Sequence, residues 1–266
     1  MDAIGVFDSG VGGLTVVSAL RRRLPEEPIL YLGDTARLPY GSKSPETVTR
    51  YTRRNIEFLV ERGVKAVVVA CNTASALALD HLHLGSLPLW GVIEPGARRA
   101  AEVSRGRVGV IGTEAMVRSD AYPRALRRLR PDLAVVSRAC PLFVPLVEEG
   151  WHDDPITEQV AARYLAPLLA AEIDTLVLGC THYPLLKAVI SRVAGPDIQL
   201  IDSAEAVAEV VAAGLAEAGL LRPAQAPDSG HPRRHLCVTD AGQTFQAVAG
   251  RILGDPALPL EWVEVV

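Results

Sequence analysis

Short runs of apolar residues alternate along the chain with longer segments that mix apolar and polar residues. Each run is rich in Val, Ile and Leu, which is the pattern of a buried β-strand. Segments 47–63 and 204–219 instead repeat apolar residues with the period of an amphipathic helix. Alternating strand and helix patterns predict an α/β fold with parallel strands. The predicted strands are IGVF (4–7), ILYL (29–32), AVVVA (66–70), LWGVI (89–93), RVGVI (107–111), LAVVS (133–137), TLVLG (175–179) and IQLI (198–201).

The strand pattern contains a repeat. Because the matching segments occur in the same order and at nearly the same offset, the sequence predicts two copies of one α/β unit. We therefore expect two similar parallel-sheet α/β domains, related by a pseudo-two-fold duplication, with the active site in the cleft between them. The matches are GVFDS (5–9) with GVIGT (109–113), VVACNT (68–73) with VLGCTH (177–182), and VIEP (92–95) with LIDS (200–203).

The domains are predicted to be discontinuous in sequence. The first, which carries Asp8 and Cys71, is expected at residues 1–94 together with 207–266. The second, which carries Glu148 and Cys180, is expected at 95–206. The tail is expected to pack on the first domain, and it comprises a loop at 223–234, a strand at 234–240, a helix at 244–253 and a strand at 260–266.

Composition and charge exclude several classes of partner. The chain has 266 residues and a formal net charge of −4, so it offers no basic surface for nucleic acid. The apolar runs are too short to cross a membrane, and no secretory signal is visible at the N-terminus. The cysteines at 71, 140, 180 and 237 contain no CxxC pair, so we expect no metal site. The expectation is a cytoplasmic protein with reduced thiols.

Two of the cysteines lie at the ends of predicted strands and carry the strongest chemical signal. Ligands of parallel α/β sheets bind beyond the carboxyl ends of the strands, where Cys71 and Cys180 fall. A following helix N-terminus would lower the pKa of a thiol. Two related units facing each other would place the thiols on opposite walls of a cleft. That arrangement suits removal of a proton from one face of a carbon and its return to the other face.

A structural role is the alternative for each cysteine, because free cysteines are among the most buried residues. The polar neighbours favour chemistry at two of them, since Asn72 and Thr73 follow Cys71 and Thr181 and His182 follow Cys180. Cys140 and Cys237 lack such neighbours and are expected to be structural.

Residues of the polar loops are further candidates for the active site. The stretch DSGVGGLT (8–15) is either a tight turn into a helix or a loop that projects Asp8 and Ser9 over the cleft. The loop GDTARLPYGSKS (33–44) carries Tyr40 and Gly41 and is either plain surface or a binding loop. Glu148 is either part of a solvated helix end or an acid–base group.

Taken in order, these motifs resemble the glutamate racemase family from about Ala3 to about Ala208. The segments that carry the resemblance are DSGVGG, GDTARLPYGSKS, VVVACNTASA, GVIEPGA, PLFVPLVEEGW, VLGCTHYPLL and IDSA. The resemblance implies a racemase that needs no cofactor and makes D-glutamate for peptidoglycan. It also implies two α/β domains around a cleft, in agreement with the repeat.

The resemblance further implies a role for each matching residue. Cys71 and Cys180 would be the two acid–base catalysts, assisted by Asp8, Glu148 and His182. One departure is Met116, which stands where the family commonly has a second threonine after Thr113, so a hydroxyl beside the substrate would be lost. The implied substrate-binding residues are Asp8, Ser9, Tyr40, Gly41, Asn72, Thr73, Thr113, Thr181 and His182.

Two other functions stay open at this point. A racemase of the same fold could act on aspartate or on a hydantoin, with the same thiols and a different side-chain pocket. A two-lobed amino-acid-binding protein without chemistry is less favoured, because it would need neither thiol. The partner expected is a small-molecule substrate, and a homodimer is one alternative for the oligomeric state.

Overall fold

The computed structural model describes residues 2–223, 234–240, 242–255 and 259–265. The strands are β1 (Ile4–Asp8), β2 (Ile29–Gly33), β3 (Ala66–Val69), β4 (Leu89–Gly91), β5 (Arg107–Gly112), β6 (Ala134–Ala139), β7 (Thr175–Gly179), β8 (Gln199–Asp202), β9 (Arg234–Val238) and β10 (Leu260–Trp262). The helices are α1 (Leu14–Arg23), α2 (Pro45–Glu61), α3 (Asn72–Ala78), α4 (Ile93–Val103), α5 (Glu114–Arg118), α6 (Ala121–Leu129), α7 (Phe143–Glu148), α8 (Pro155–Ala170), α9 (Lys187–Ala194), α10 (Ser203–Glu217) and α11 (Gln243–Leu253). Short 3₁₀ turns lie at Thr35–Arg37, Tyr40–Ser42, Leu79–His81 and Tyr183–Leu186.

The strands form two sheets, and the strand pairs are parallel. The first sheet has the order β10-β9-β2-β1-β3-β4, and the second has the order β6-β5-β7-β8. The order β2-β1-β3-β4 thus recurs in the second sheet as β6-β5-β7-β8, as a duplicated unit would give. The predicted fold class is confirmed. The predicted strand at 89–93 ends early, at Gly91, because the same apolar run continues directly into α4.

Helices cover both faces of each sheet, which explains why the central strands are apolar throughout. Along β1, Ile4 and Val6 pack against α1 and α10, whereas Phe7 packs on the opposite face with residues of α2 and α3. The second sheet is covered by α7, α8 and α9 on one face and by α4 and α6 on the other. Each sheet is therefore fixed between two layers, with its strand ends left available for a site.

The tail returns to the first sheet, as expected from the sequence. Strand β9 pairs with β2, with Leu236 opposite Tyr31, and β10 pairs with β9. Residues of α11 join the core beside α1. Apart from its first and last residues, the predicted loop at 223–234 lies outside the described residues. The domain boundaries near 94 and 207 stay a prediction.

Two helices carry the chain between the sheets. Helix α4 follows β4 of the first sheet but packs its buried residues with α6, beside the second sheet. Helix α10 follows β8 of the second sheet and packs with α1, beside the first. Among the described residues, no helix is both long enough and apolar enough to cross a membrane.

Candidate active site

The two cysteines singled out by the sequence line one narrow cavity. Cys71 lies two residues after the end of β3 and is the N-cap of α3, where its sulfur accepts a hydrogen bond from Ala74 N at 3.5 Å. Cys180 follows β7, but the chain then enters a 3₁₀ turn, and α9 begins only at Lys187. The expectation of a helix N-terminus at both thiols is therefore right for Cys71 and wrong for Cys180.

Most of the predicted site residues lie around the same cavity. Asp8 is the exception, because it is buried directly behind the lining and contacts it through Thr181. Four lining residues were not predicted, although each lies within a quoted motif: Gly10, Leu38, Pro39 and Val144. The lining consists of Ser9, Gly10, Leu38, Pro39, Tyr40, Gly41, Cys71, Asn72, Thr73, Thr113, Val144, Glu148, Cys180, Thr181 and His182.

Asp8 joins the loop after β1 to the loop after β7. Its Oδ2 accepts hydrogen bonds from Gly10 N at 3.0 Å and Gly13 N at 2.9 Å, and its Oδ1 accepts one from the Thr181 hydroxyl at 3.3 Å. Burial raises the pKa of Asp8, although the charge of His182 and the two backbone N–H groups act in the opposite direction. The stretch 8–15 thus forms a turn, and its backbone N–H groups bind the buried carboxyl group of Asp8.

Glycines allow the two loops to approach closely. A Cβ atom at Gly12 would lie 2.5 Å from Thr181 Oγ1 and 2.6 Å from His182 Nδ1. A Cβ atom at Gly41 would lie 2.7 Å from Thr113 Cβ. A side chain at either position would push the two halves of the cavity apart.

The surroundings of Cys71 favour the protonated thiol. Burial and the negative charge of Asp8 raise the pKa of Cys71 to about 12, against the weaker influence of Ala74 N and the Ser9 hydroxyl. The Ser9 hydroxyl lies 3.5 Å from the sulfur. The expected lowering of this pKa by the helix N-terminus is therefore wrong, because burial and a like charge outweigh it. Cys71 is a proton donor in this state.

The surroundings of Cys180 supply a positive charge. His182 Nδ1 lies 3.9 Å from the sulfur, and His182 Nε2 lies 3.5 Å from Glu148 Oε1 in an ion-pair contact. Burial opposes protonation of His182, but its contacts with Cys180 and Glu148, together with the charge of Asp8, raise its pKa to about 10. The two thiols therefore lie in unlike electrostatic environments.

The polar residues between the thiols come from both halves of the molecule. The hydroxyls of Thr73 and Thr113 lie 2.9 Å apart across the cleft. Asn72 accepts a hydrogen bond at Oδ1 from Tyr122, whereas its Nδ2 is buried and makes no hydrogen bond to the described residues. These groups can donate to a ligand with several acceptor atoms.

Tyr40 lines the cavity with its hydroxyl already engaged. The hydroxyl donates to Asp34, and Asn55 Nδ2 binds both the Tyr40 oxygen at 3.1 Å and Asp34 Oδ2 at 3.0 Å. Burial and the adjacent Asp34 carboxylate raise the pKa of Tyr40, which keeps the phenol protonated. If Tyr40 contacts a ligand, it would do so through atoms other than its hydroxyl.

Other cavities and clusters lie away from the thiols. A cavity of about 580 Å³ lies beside Trp90, Glu94 and Arg124 and contains none of the predicted site residues. His235, Cys237 and Glu261 lie close enough to share a metal ion, but Arg62 already pairs with Glu261 at 3.0 Å. The chemistry indicated by the sequence is concentrated in the narrow cavity.

Comparison with known proteins agrees with this geometry. The model of the family described as Asp/Glu/Hydantoin racemase matches residues 14–211. The chain belongs to this family. A glutamate racemase of Geobacter metallireducens is 56% identical over 254 residues, which cover 95% of this chain and 93% of that relative.

Solved structures of the family superpose over nearly the whole chain. A glutamate racemase isoform of Bacillus anthracis has a TM-score of 0.93 and 42% identity, covering 99% of this chain and 98% of that one. The glutamate racemase of Francisella tularensis, solved in complex with D-glutamate, has a TM-score of 0.91 and 37% identity, covering 99% and 98%. The resemblance inferred from the motifs is confirmed.

The expectation for Met116 is wrong. Its side chain is 1% exposed and belongs to the core between the second sheet and α4 and α6. Its methyl group lies so close to Gly112 and Gly179 that a Cβ atom there would approach it to 2.0 and 2.8 Å. The backbone N–H of Met116 donates a hydrogen bond to the site residue Thr113 at 3.2 Å. The Met116 side chain is not among the described residues that line the cavity.

Met116→Thr should therefore destabilise the protein without improving substrate binding. A shortened buried side chain lowers the free energy of unfolding by about 2–5 kcal/mol, and the new hydroxyl would need a partner in the core. Urea unfolding and KM measure the two effects. Met116→Leu, with a similar volume, should cost less than about 1.5 kcal/mol. A lower KM with unchanged stability would place residue 116 beside the substrate.

The elevated pKa of His182 predicts a pH-dependent stability. Because the folded pKa is raised from 6.5 to about 10, the protonated imidazole stabilises the fold fully below pH 6.5, and this contribution is lost as the pH rises through 10. The difference in free energy of unfolding between the wild type and His182→Asn should shrink over that range. Urea titrations in a pH series measure it, and exposed His83 gives the control variant His83→Asn. A difference that grows with pH would contradict the assignment.

Proposed function

We propose that the chain interconverts L-glutamate and D-glutamate without a cofactor, by proton transfer between Cys71 and Cys180 and the substrate. The observation that carries the proposal is the single cavity lined by both thiols, one after β3 of the first sheet and the other after β7 of the second. The named relatives support glutamate as the substrate, since they are glutamate racemases and one was solved with D-glutamate.

Substrate binding would use the polar groups between the thiols. Asn72 Nδ2 can donate a hydrogen bond to a carboxylate oxygen, and so can one of the paired hydroxyls of Thr73 and Thr113, since only one of them donates in their mutual bond. The Thr181 hydroxyl already donates to Asp8, so toward a ligand it would act as an acceptor. Fixed donors of this kind also stabilise the negative charge that develops when the α-proton leaves. Ser9, Tyr40 and Gly41 would complete the binding surface. The buried Asp8 supplies a negative charge for the substrate ammonium group.

The unlike environments of the thiols define one direction of the reaction. Cys180, whose sulfur lies 3.9 Å from His182 Nδ1, acts as the base and takes the α-proton from one face of the carbon. Cys71, held as a thiol, returns a proton to the other face. The protonation states of the two sulfurs are then exchanged, which is the starting state for the reverse reaction. Glu148 supports His182 in its charged form.

The product and the setting follow from this activity. D-glutamate would serve peptidoglycan synthesis, and the protein would work in the cytoplasm, where its thiols stay free. The described cysteines are all free. A homodimer stays a prediction.

The test is conversion by purified protein without added cofactor, followed by chiral chromatography. L-glutamate should yield D-glutamate up to an equal mixture, and L-aspartate should react much more slowly. Faster conversion of aspartate would favour an aspartate racemase of the same fold. Binding of glutamate without conversion would favour an amino-acid-binding protein.

The proton-transfer roles predict which cysteines are essential. Cys71→Ala and Cys180→Ala should each lower kcat in both directions. The expected decrease is roughly 10²–10⁴-fold or more, because a positioned acid–base group typically contributes that much. Cys140→Ala and Cys237→Ala, which remove buried thiols outside the cavity, should leave kcat within about threefold of the wild type. Near wild-type turnover by Cys180→Ala would overturn the two-thiol mechanism.

A further inference from the structure

We propose that Tyr122 is a positioning residue, which orients the side-chain amide of Asn72 toward the carboxylate of the substrate. The inference rests on the proposed function, because it concerns the same cavity. Tyr122 does not line that cavity, whereas Asn72 does. Its effect on the substrate would therefore pass through the amide.

The hydrogen bond between the two side chains fixes which end of the amide faces the ligand. Tyr122 Oη donates to Asn72 Oδ1 at 2.9 Å, and both residues are buried. Asn72 Nδ2 is left without a hydrogen bond to the described residues, although Asn72 is only 2% exposed. A buried donor without a partner is energetically unfavourable, so the structure contains a site that an acceptor atom would satisfy.

The surroundings of Tyr122 keep its phenol in place and protonated. A Cβ atom at Gly96 would lie 2.9 Å from Tyr122 Oη, and one at Gly179 would lie 3.2 Å from Tyr122 Cε2. The phenol thus occupies a slot that admits no side chain at either glycine. Burial raises the pKa of Tyr122, with a hydrogen bond from Ser203 acting in the opposite direction. The phenol is therefore a permanent donor to the amide.

The bond also crosses between the two halves of the molecule. Asn72 begins α3 after the first sheet, whereas Tyr122 lies on α6 in the core of the second sheet. Without the phenol, the amide would be free to rotate by half a turn and present its oxygen to the substrate carboxylate. Two acceptors would then face each other, and binding would weaken. The orientation of the Asn72 amide, which follows the first sheet, thus depends on the position of Tyr122 in the core of the second sheet.

The test is a binding experiment with Tyr122→Phe, which keeps the ring and removes the hydroxyl. Calorimetry with racemic glutamate avoids a change of ligand composition during turnover. The Kd should rise about two- to tenfold, since a net hydrogen bond contributes about 0.5–1.5 kcal/mol. KM should rise together with Kd, and kcat should change less than about threefold, because the substrate carboxylate is bound in both the ground state and the transition state.

A double-mutant cycle separates positioning from general packing. In the Asn72→Ala background, Tyr122→Phe should have no further effect on Kd, because the amide that it orients is absent. The control Tyr164→Phe removes a hydroxyl that binds Leu142 N outside the cavity, and it should leave Kd unchanged. Gly96→Ala, which crowds the phenol without deleting it, should also raise Kd.

The outcomes are separable from those of the proposed function. An unchanged Kd in Tyr122→Phe, or an equal rise with and without Asn72, overturns the positioning role even if the wild type racemises glutamate. Glutamate binding by a wild type that does not racemise it overturns the proposed function, and the binding cycle still decides the role of Tyr122. Thermal unfolding of each variant confirms that it is folded.

Discussion

The structure depends on close contact between the loops that follow β1 and β7, one from each sheet. Asp8 and Thr181 form a buried hydrogen bond at this contact, and Gly12 leaves no space between itself and His182. The contact excludes water from a set of ionisable groups, which strengthens their mutual electrostatic effects. The pKa values of Asp8, Cys71 and His182 are shifted for this reason. If the two sheets moved apart, water would reach these groups and weaken all three pKa shifts.

The contact makes two similar units electrostatically different. The duplicated strand order places Cys71 and Cys180 at equivalent strand ends, yet a carboxylate influences one and an imidazolium contacts the other. A reaction that removes a proton on one face and returns it on the other needs one base and one acid at the same moment. The duplication places the two cysteines at equivalent positions, and the loop residues Asp8 and His182 make their electrostatic environments different.

The sequence predicted the strands and the site because both depend on local pattern. Buried parallel strands read as short apolar runs, and the residues just after them fall at one edge of the sheet. Features that depend on helix phase or on distant contacts were missed. Met116 follows Thr113 by three residues, but the turn of α5 directs its side chain into the core. Tyr122 is fifty positions from Asn72, and its hydrogen bond to Asn72 becomes visible only in the folded structure, where residues of α6 and α3 meet. The raised pKa of Cys71 likewise depends first on the burial of the thiol, which no motif reports.

The central claim is that each thiol serves one face of the same carbon, and hydrogen exchange in deuterium oxide tests it most directly. With one thiol removed, the remaining thiol can take and return a proton on its own face only. Cys71→Ala should therefore exchange the α-hydrogen of one enantiomer of glutamate with retention of configuration, and Cys180→Ala should exchange that of the other. Mass spectrometry after chiral separation measures both. Exchange of the same enantiomer by both variants would contradict the account.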